Sequence, residues 1–63
     1  MSKKRDAKLY LQDILDEIER IQRFVKDINN FEEFSKNELV YYAVLKSLEN
    51  IGEAVKNIYY TLS

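Results

Sequence analysis

Between positions 41 and 62 the apolar residues Tyr41, Val44, Leu48, Ile51, Val55, Ile58 and Leu62 recur at alternating intervals of three and four without a miss. That spacing is the period of one helix face. Val40, Leu45, Ala54 and Tyr59 lie beside this line, so the stripe is wider than a two-stranded coiled coil needs and calls for contact with two or more neighbouring helices. A second stripe precedes it, built from Ala7, Leu11, Ile14, Ile18, Ile21, Val25 and Ile28, with Tyr10, Leu15 and Phe24 on its flanks. The chain contains no proline to interrupt either stretch. The patterns predict an all-α fold with two long helices, one over about 7–29 and one over about 37–62.

Asp6 is the expected N-cap of the first helix, because a short carboxylate accepts from the free amides of the first turn. Residues 1–5 are polar and basic and have nothing to pack, so a frayed end is expected there. Asn29 and Asn30 break the first pattern. Asn30 with Glu33, and Ser35 with Glu38, have the spacing of a capping box, which predicts a short helical turn carrying Phe31 and Phe34 as a plug at the end of a hairpin. Each long helix spans roughly 40 Å at 1.5 Å per residue, and so short a connection forces them antiparallel. On the outer face, Asp16 with Arg20 and Glu19 with Arg23 stand four apart, acid first, as a solvated charged surface.

Two helices alone leave the outer flanks of both stripes in water, so the expected assembly is a four-helix bundle of two hairpins, or a larger oligomer. The expected seam, serving either the core or the oligomer, is Ile14, Ile18 and Ile21 with Val44, Leu48, Ile51, Val55 and Ile58. Sixty-three residues make one small domain, for which a single core seldom supplies more than about 3 to 5 kcal/mol. Disulfides and soft-metal sites cannot add to it, since the chain has neither cysteine nor histidine. Self-association is the remaining source of burial, and a homodimer or higher homo-oligomer is the expected state.

Composition excludes much else. Ten basic residues stand against eleven acidic ones, without the basic excess of a duplex-binding domain. No apolar run approaches the ~20 residues of a membrane span, and the basic start leads into an amphipathic segment rather than a signal core. The absence of cysteine fits a cytoplasmic protein. Histidine and cysteine nucleophile systems are ruled out, and one glycine cannot form a phosphate loop. No cofactor or metal is expected.

One turn violates local preference twice. Glu49 and Glu53 are like charges four apart around Gly52, the only glycine. Such a pair costs a few tenths of a kcal/mol, and the glycine about 0.8 to 1.0 kcal/mol relative to alanine. Either Gly52 and Ala54 let another helix approach closely while the glutamates stay in water, or this turn faces a basic or catalytic group supplied from elsewhere. Tyr41, Tyr42, Tyr59 and Tyr60 could stack on bases, but at this spacing tyrosine belongs first to a core or interface. Lys3, Lys4, Arg5 and Lys8 could touch phosphate, although charges at a chain end serve solubility first.

Arg5-Asp6, Leu11, Asp13-Ile14-Leu15, Ile18, the Phe31 and Phe34 linker, Ala43-Val44 and above all Leu48-Glu49-x-Ile51-Gly52-Glu53-Ala54 resemble the N-terminal part of the HepT-like HEPN proteins. The resemblance covers essentially the whole chain but about the first half of a typical member. It implies an all-helical toxin paired with a minimal nucleotidyltransferase antitoxin, acting as a metal-independent ribonuclease from a dimeric cleft. The family signature is an arginine followed four to six residues later by a histidine, with a tyrosine beyond it that the antitoxin can modify with AMP. That signature lies C-terminal to the IGEA helix, so Arg20, Arg23, Tyr59 and Tyr60 do not match it. Glu53, with Glu49 as a lesser companion, is the acidic turn that would neighbour the arginine. The expectation is therefore residues 1–63 as one helical domain, the truncated N-terminal part of a HEPN domain, with no enzymatic activity of its own and with RNA as a partner only when the C-terminal part is present. The alternative is a small self-associating structural or adaptor hairpin without a catalytic role.

Overall fold

A computed structural model describes residues 6–62. The chain forms α1 (Ala7–Val25), α2 (Phe31–Lys36) and α3 (Glu38–Leu62), and there is no strand among the described residues. The basic stretch Lys3-Lys4-Arg5 and the expected frayed end lie outside that range.

Asp6 caps α1 as its chemistry predicts, its extended backbone allowing Oδ1 to accept from the Lys8 amide at 3.1 Å. The helix stops at Val25, four residues before the expected end. Ile28 N–H donates to the Val25 carbonyl at 2.9 Å in a closing turn, and the chain must then reach the extended conformation of Asn30 (φ −158°, ψ 169°), which caps α2. Asn30 Oδ1 accepts from the Glu33 amide at 2.7 Å, and Glu33 reaches back to the Asn29 amide at 3.4 Å, so the first capping box forms with its return bond one residue early.

The second box does not form. Ser35 lies inside α2, where its hydroxyl donates to the carbonyls of Phe31 and Glu32, both at 3.1 Å, as serine within a helix commonly does. Asn37 takes over the start of α3. Its extended backbone separates the two helices, and its Oδ1 accepts from the Val40 amide at 3.1 Å. One asparagine thus ends one helix and begins the next. Phe34 is half-buried against Tyr41, with ring centroids 5.7 Å apart, and closes the hairpin end, whereas Phe31 is 79% exposed and turns outward.

The dimensions, 46 × 19 × 14 Å, are those of a single layer, because one helix with side chains is already about 10–12 Å across. Antiparallel α1 and α3 make up that layer. At about 100° per residue, Val44, Ile51 and Ile58 form a central column on α3 flanked on one side by Val40, Ser47, Ala54 and Thr61, and on the other by Tyr41, Leu48, Val55 and Leu62. The hairpin uses the first flank. Ser47 and Ala54, 2% and 5% exposed, are the only buried residues among those described, and the central column is half-buried. Leu48 and Val55 remain about half exposed. On α1, the central Ile14 and Ile21 are half-buried together with Tyr10, Glu17 and Phe24, while Leu11, Leu15 and Ile18 are exposed.

The contact line of α3 is therefore rotated toward its small residues relative to the seam drawn from the apolar pattern alone. The physical reason is approach distance: serine and alanine let two backbones draw together, which places Glu17 within reach of α3, whereas leucine and valine would hold them apart. Gly52 plays no part in this approach, since a Cβ added there would meet nothing within 4 Å.

Two substitutions separate these roles. Gly52→Ala should raise stability by about 0.8 to 1.0 kcal/mol through helix propensity alone, and Ala54→Leu should lower it by about 1 to 3 kcal/mol through overpacking. Urea unfolding followed by circular dichroism measures both. A stability loss in Gly52→Ala would show that another helix packs against this glycine.

Candidate functional site

One side of the hairpin is an open polar groove of about 340 Å³, lined from α1 by Tyr10, Asp13, Asp16, Glu17 and Arg20, and from α3 by Asn50, Glu53, Ala54 and Asn57. Helical periodicity accounts for the set. Positions 13, 16, 17 and 20 share one side of α1, and 50, 53, 54 and 57 share one side of α3, so antiparallel packing turns both polar sides to the same face.

Glu17 organises the floor of the groove. Its side chain is only 12% exposed, Oε2 receives Arg20 Nη1 at 2.9 Å, and the same oxygen accepts from Asn50 Nδ2 at 3.0 Å across the helix contact. The Ser47 hydroxyl lies near enough to favour the charged carboxylate, while Oε1 is buried and has no hydrogen-bond partner among the described residues. Burial pushes the Glu17 carboxyl up, yet the hydrogen bonds from Ser47, Asn50 and Arg20, with the charge of Arg20, outweigh it and hold the group below its ordinary value. Glu17 is thus an anion at neutral pH. Arg20 was expected to pair with Asp16. It turns inward to Glu17, and Asp16 accepts from Gln12 Nε2 at 2.9 Å instead.

Among the described residues the groove is lined by four carboxylates, Asp13, Asp16, Glu17 and Glu53, against one guanidinium, that of Arg20. It is therefore acidic, a poor seat for phosphate and a good one for a cationic side chain. Among the described residues no three carboxylates stand close enough together to hold a metal ion. Glu53 lies in the groove. Glu49 lies outside it, 3.8 Å from Lys46 Nζ with both side chains 72% exposed, a geometry that contributes little. Of the seam residues, Ile14, Ile21, Val44, Ile51 and Ile58 are half-buried along the hairpin, while Ile18, Leu48 and Val55 open away from the groove.

Sequence reasoning missed Glu17, Ser47, Asn50 and Asp13. A signal existed: Glu17 and Ser47 are polar residues at positions that flank the central apolar columns by one helical step, where an isolated polar residue must find a partner across the contact. A separate apolar hollow at the hairpin end, bounded by Val25, Ile28, Phe31, Phe34 and Val44, carries no ionisable group.

The family described as Ribonuclease HepT-like matches residues 14–62. The chain belongs to the HepT-like ribonuclease family. Over 55 residues, 87% of its length, it is 51% identical to the Methanocaldococcus jannaschii protein named "Putative RNase MJ0125", covering 47% of that protein. Over the same share of its length it is 47% identical to the "Probable ribonuclease HepT" of Thermococcus cleftensis, covering 49% of that protein. The chain spans about half the length of these curated relatives. No solved structure is significantly similar. Among the described residues no helix is long and apolar enough to cross a membrane.

The lowered Glu17 carboxyl ties stability to pH. A folded value below the ordinary 4.5 means that folding favours the anion, so this contribution is full above the ordinary value and is lost as pH falls through the lower, folded one. Glu17→Gln should remove that part of the pH dependence. Urea midpoints compared between about pH 7 and about pH 3 should show a flatter acid limb in the variant, and identical slopes would contradict the assignment.

Proposed function

We propose that this chain is the N-terminal helical half of a HepT-like ribonuclease toxin, that it supplies the acidic wall of the active cleft, and that it does not cleave RNA by itself. Family membership over residues 14–62 supports the ribonuclease class. The observation that carries the rest is that the chain contains no histidine. Cleavage without a metal needs a group that moves a proton near neutral pH and a cation that holds the charge developing on phosphorus. Histidine is the side chain suited to the first task, and Arg20, the only cation lining the groove among the described residues, is already engaged by Glu17.

In this reading Glu53, with Asp13 and Asp16 across the groove, receives the arginine of the arginine-to-histidine signature carried by the C-terminal half of family members. The acidic balance of the groove suits a guanidinium, which carboxylates bind in a two-pronged geometry. Glu49, outside the groove, has no part in that contact. A minimal nucleotidyltransferase antitoxin would then be a partner of the complete protein in the cytoplasm, and RNA its substrate.

The purified chain should leave single-stranded RNA and tRNA intact in the presence of a chelator, while a version extended to the length of its relatives through the arginine and histidine segment should cleave them. Glu53→Gln in the extended protein should lower cleavage. RNA cleavage by the 63-residue chain that survives repurification and disappears in Glu53→Gln would overturn this reading and make Glu53 a catalyst.

A further inference from the structure

Asn37 is the one residue outside a helix between Phe31 and Leu62, and the chain has neither glycine nor proline from Phe31 to Ile51. Its φ of −94° lies close to the helical range, so the bend between α2 and α3 is made by ψ, 91° where a helix has about −42°. A turn about that single bond joins the two helices. The bent arrangement leaves the amides of Glu38 and Leu39 to water, since neither finds an acceptor among the described residues and Asn37 Oδ1 serves Val40. In a continuous helix they would reach the carbonyls of Phe34 and Ser35 four residues back. Little holds α2 against α3. It has no buried residue, and Phe34 is its one member that is not exposed. The Phe34 ring stands 5.7 Å from that of Tyr41 and, with Phe31, closes the hollow bounded by Val25, Ile28 and Val44. Few buried apolar contacts mark a segment that opens readily.

We propose that α2 is a hinged lid on the end of the hairpin: rotation at Asn37 fuses it with α3 into one helix over 31–62, lifts Phe34 off Tyr41 and uncovers the hollow at Val25, Ile28 and Val44. The linker sets how far the lid swings. Phe31 and Val44, thirteen residues apart, stand about 20 Å apart in a continuous helix, whereas the six steps from Val25 to Phe31 span at most about 20 to 22 Å when fully extended. Val25 borders the same hollow as Val44, so α1 keeps its place on α3 only if the linker is drawn out. The bond from Ile28 to Val25 and the Asn30 cap of α2 must then open. Lid and closing turn therefore form and break together. The open form is the minor state, with an expected population on the order of 1 to 10%. The proposal rests on the fold and not on the RNA reading.

Relaxation dispersion of the isotopically labelled chain tests it. Amides from Lys36 to Val40 should exchange with a minor state. Asn37→Ala removes the cap and introduces the best helix former, so it should raise the open population at least about 10-fold, while Asn37→Asp, which keeps a capping oxygen, should leave it near the wild-type level. In Asn37→Ala the α-carbon shift at position 37 should become helical and coincide with the minor-state shift of the wild type, and the Glu38 and Leu39 amides should gain at least about 10-fold protection from hydrogen exchange. Phe34→Ala releases the latch without touching the hinge, and should move the population the same way. Flat dispersion in the wild type would overturn the proposal. So would an Asn37→Ala variant that keeps its cross-peaks between the Phe34 and Tyr41 rings, or melting of residues 31–36 in either variant, which would make α2 a segment that frays rather than a lid that swings.

Discussion

Close approach of α1 to α3 at Ser47 and Ala54 is the constraint from which the other features follow. Two small side chains let the helices draw together, and the short separation brings the Glu17 carboxylate to Asn50 at 3.0 Å while covering all but 12% of its surface. A carboxylate in that position is tolerable only if it is hydrogen-bonded, because an unpaired buried charge costs several kcal/mol. Asn50 supplies a bond from the opposite helix, and Arg20 supplies both a bond and a countercharge from the same one. The polar cluster therefore fixes which faces meet and how far one helix can slide along the other. A slide of one turn would carry Asn50 about 5.4 Å from Glu17 and leave the anion without its partner on the opposite helix.

Choosing the small-residue flank has a second consequence. Each helix has one apolar column and two flanks, and spending the Ser47 and Ala54 flank on the hairpin leaves the Leu48 and Val55 flank outside. The hairpin is thus amphipathic as a unit, with an acidic groove on one face and an uncharged apolar surface on the other. The polar and the apolar surfaces therefore lie on opposite faces.

Much of the fold was legible in the sequence. The three-and-four spacing gives two long helices, Asp6 and Asn30 announce caps that form, and the short linker fixes the antiparallel arrangement. What the pattern could not give was the rotation of each helix about its axis. Hydropathy weights Leu48 and Val55 above Ser47 and Ala54, so an apolar seam is drawn through the larger side chains, whereas packing distance and the hydrogen bonds of Glu17 favour the smaller ones. The same blindness hid the candidate site: Glu53 stood out because it sits beside a glycine in a family motif, but Glu17 looked like one more surface acid until the opposite helix supplied Asn50. Ser35 shows the local version of the problem, because its spacing to Glu38 fits a cap as well as Asn37 does, and only the extended backbone at Asn37 decides between them.

Nuclear Overhauser spectra of the isotopically labelled chain test the helix orientation most directly. The Ala54 methyl group should show cross-peaks to side chains of α1 on the groove side, Tyr10 and Glu17 among them, in a sample where signals between copies are filtered out. The contrary result would be an Ala54 methyl silent toward α1 while the methyl groups of Leu48 and Val55 carry all the contacts between the two helices. That outcome would place the large-residue flank inside the hairpin and dissolve both the groove and the apolar face as described.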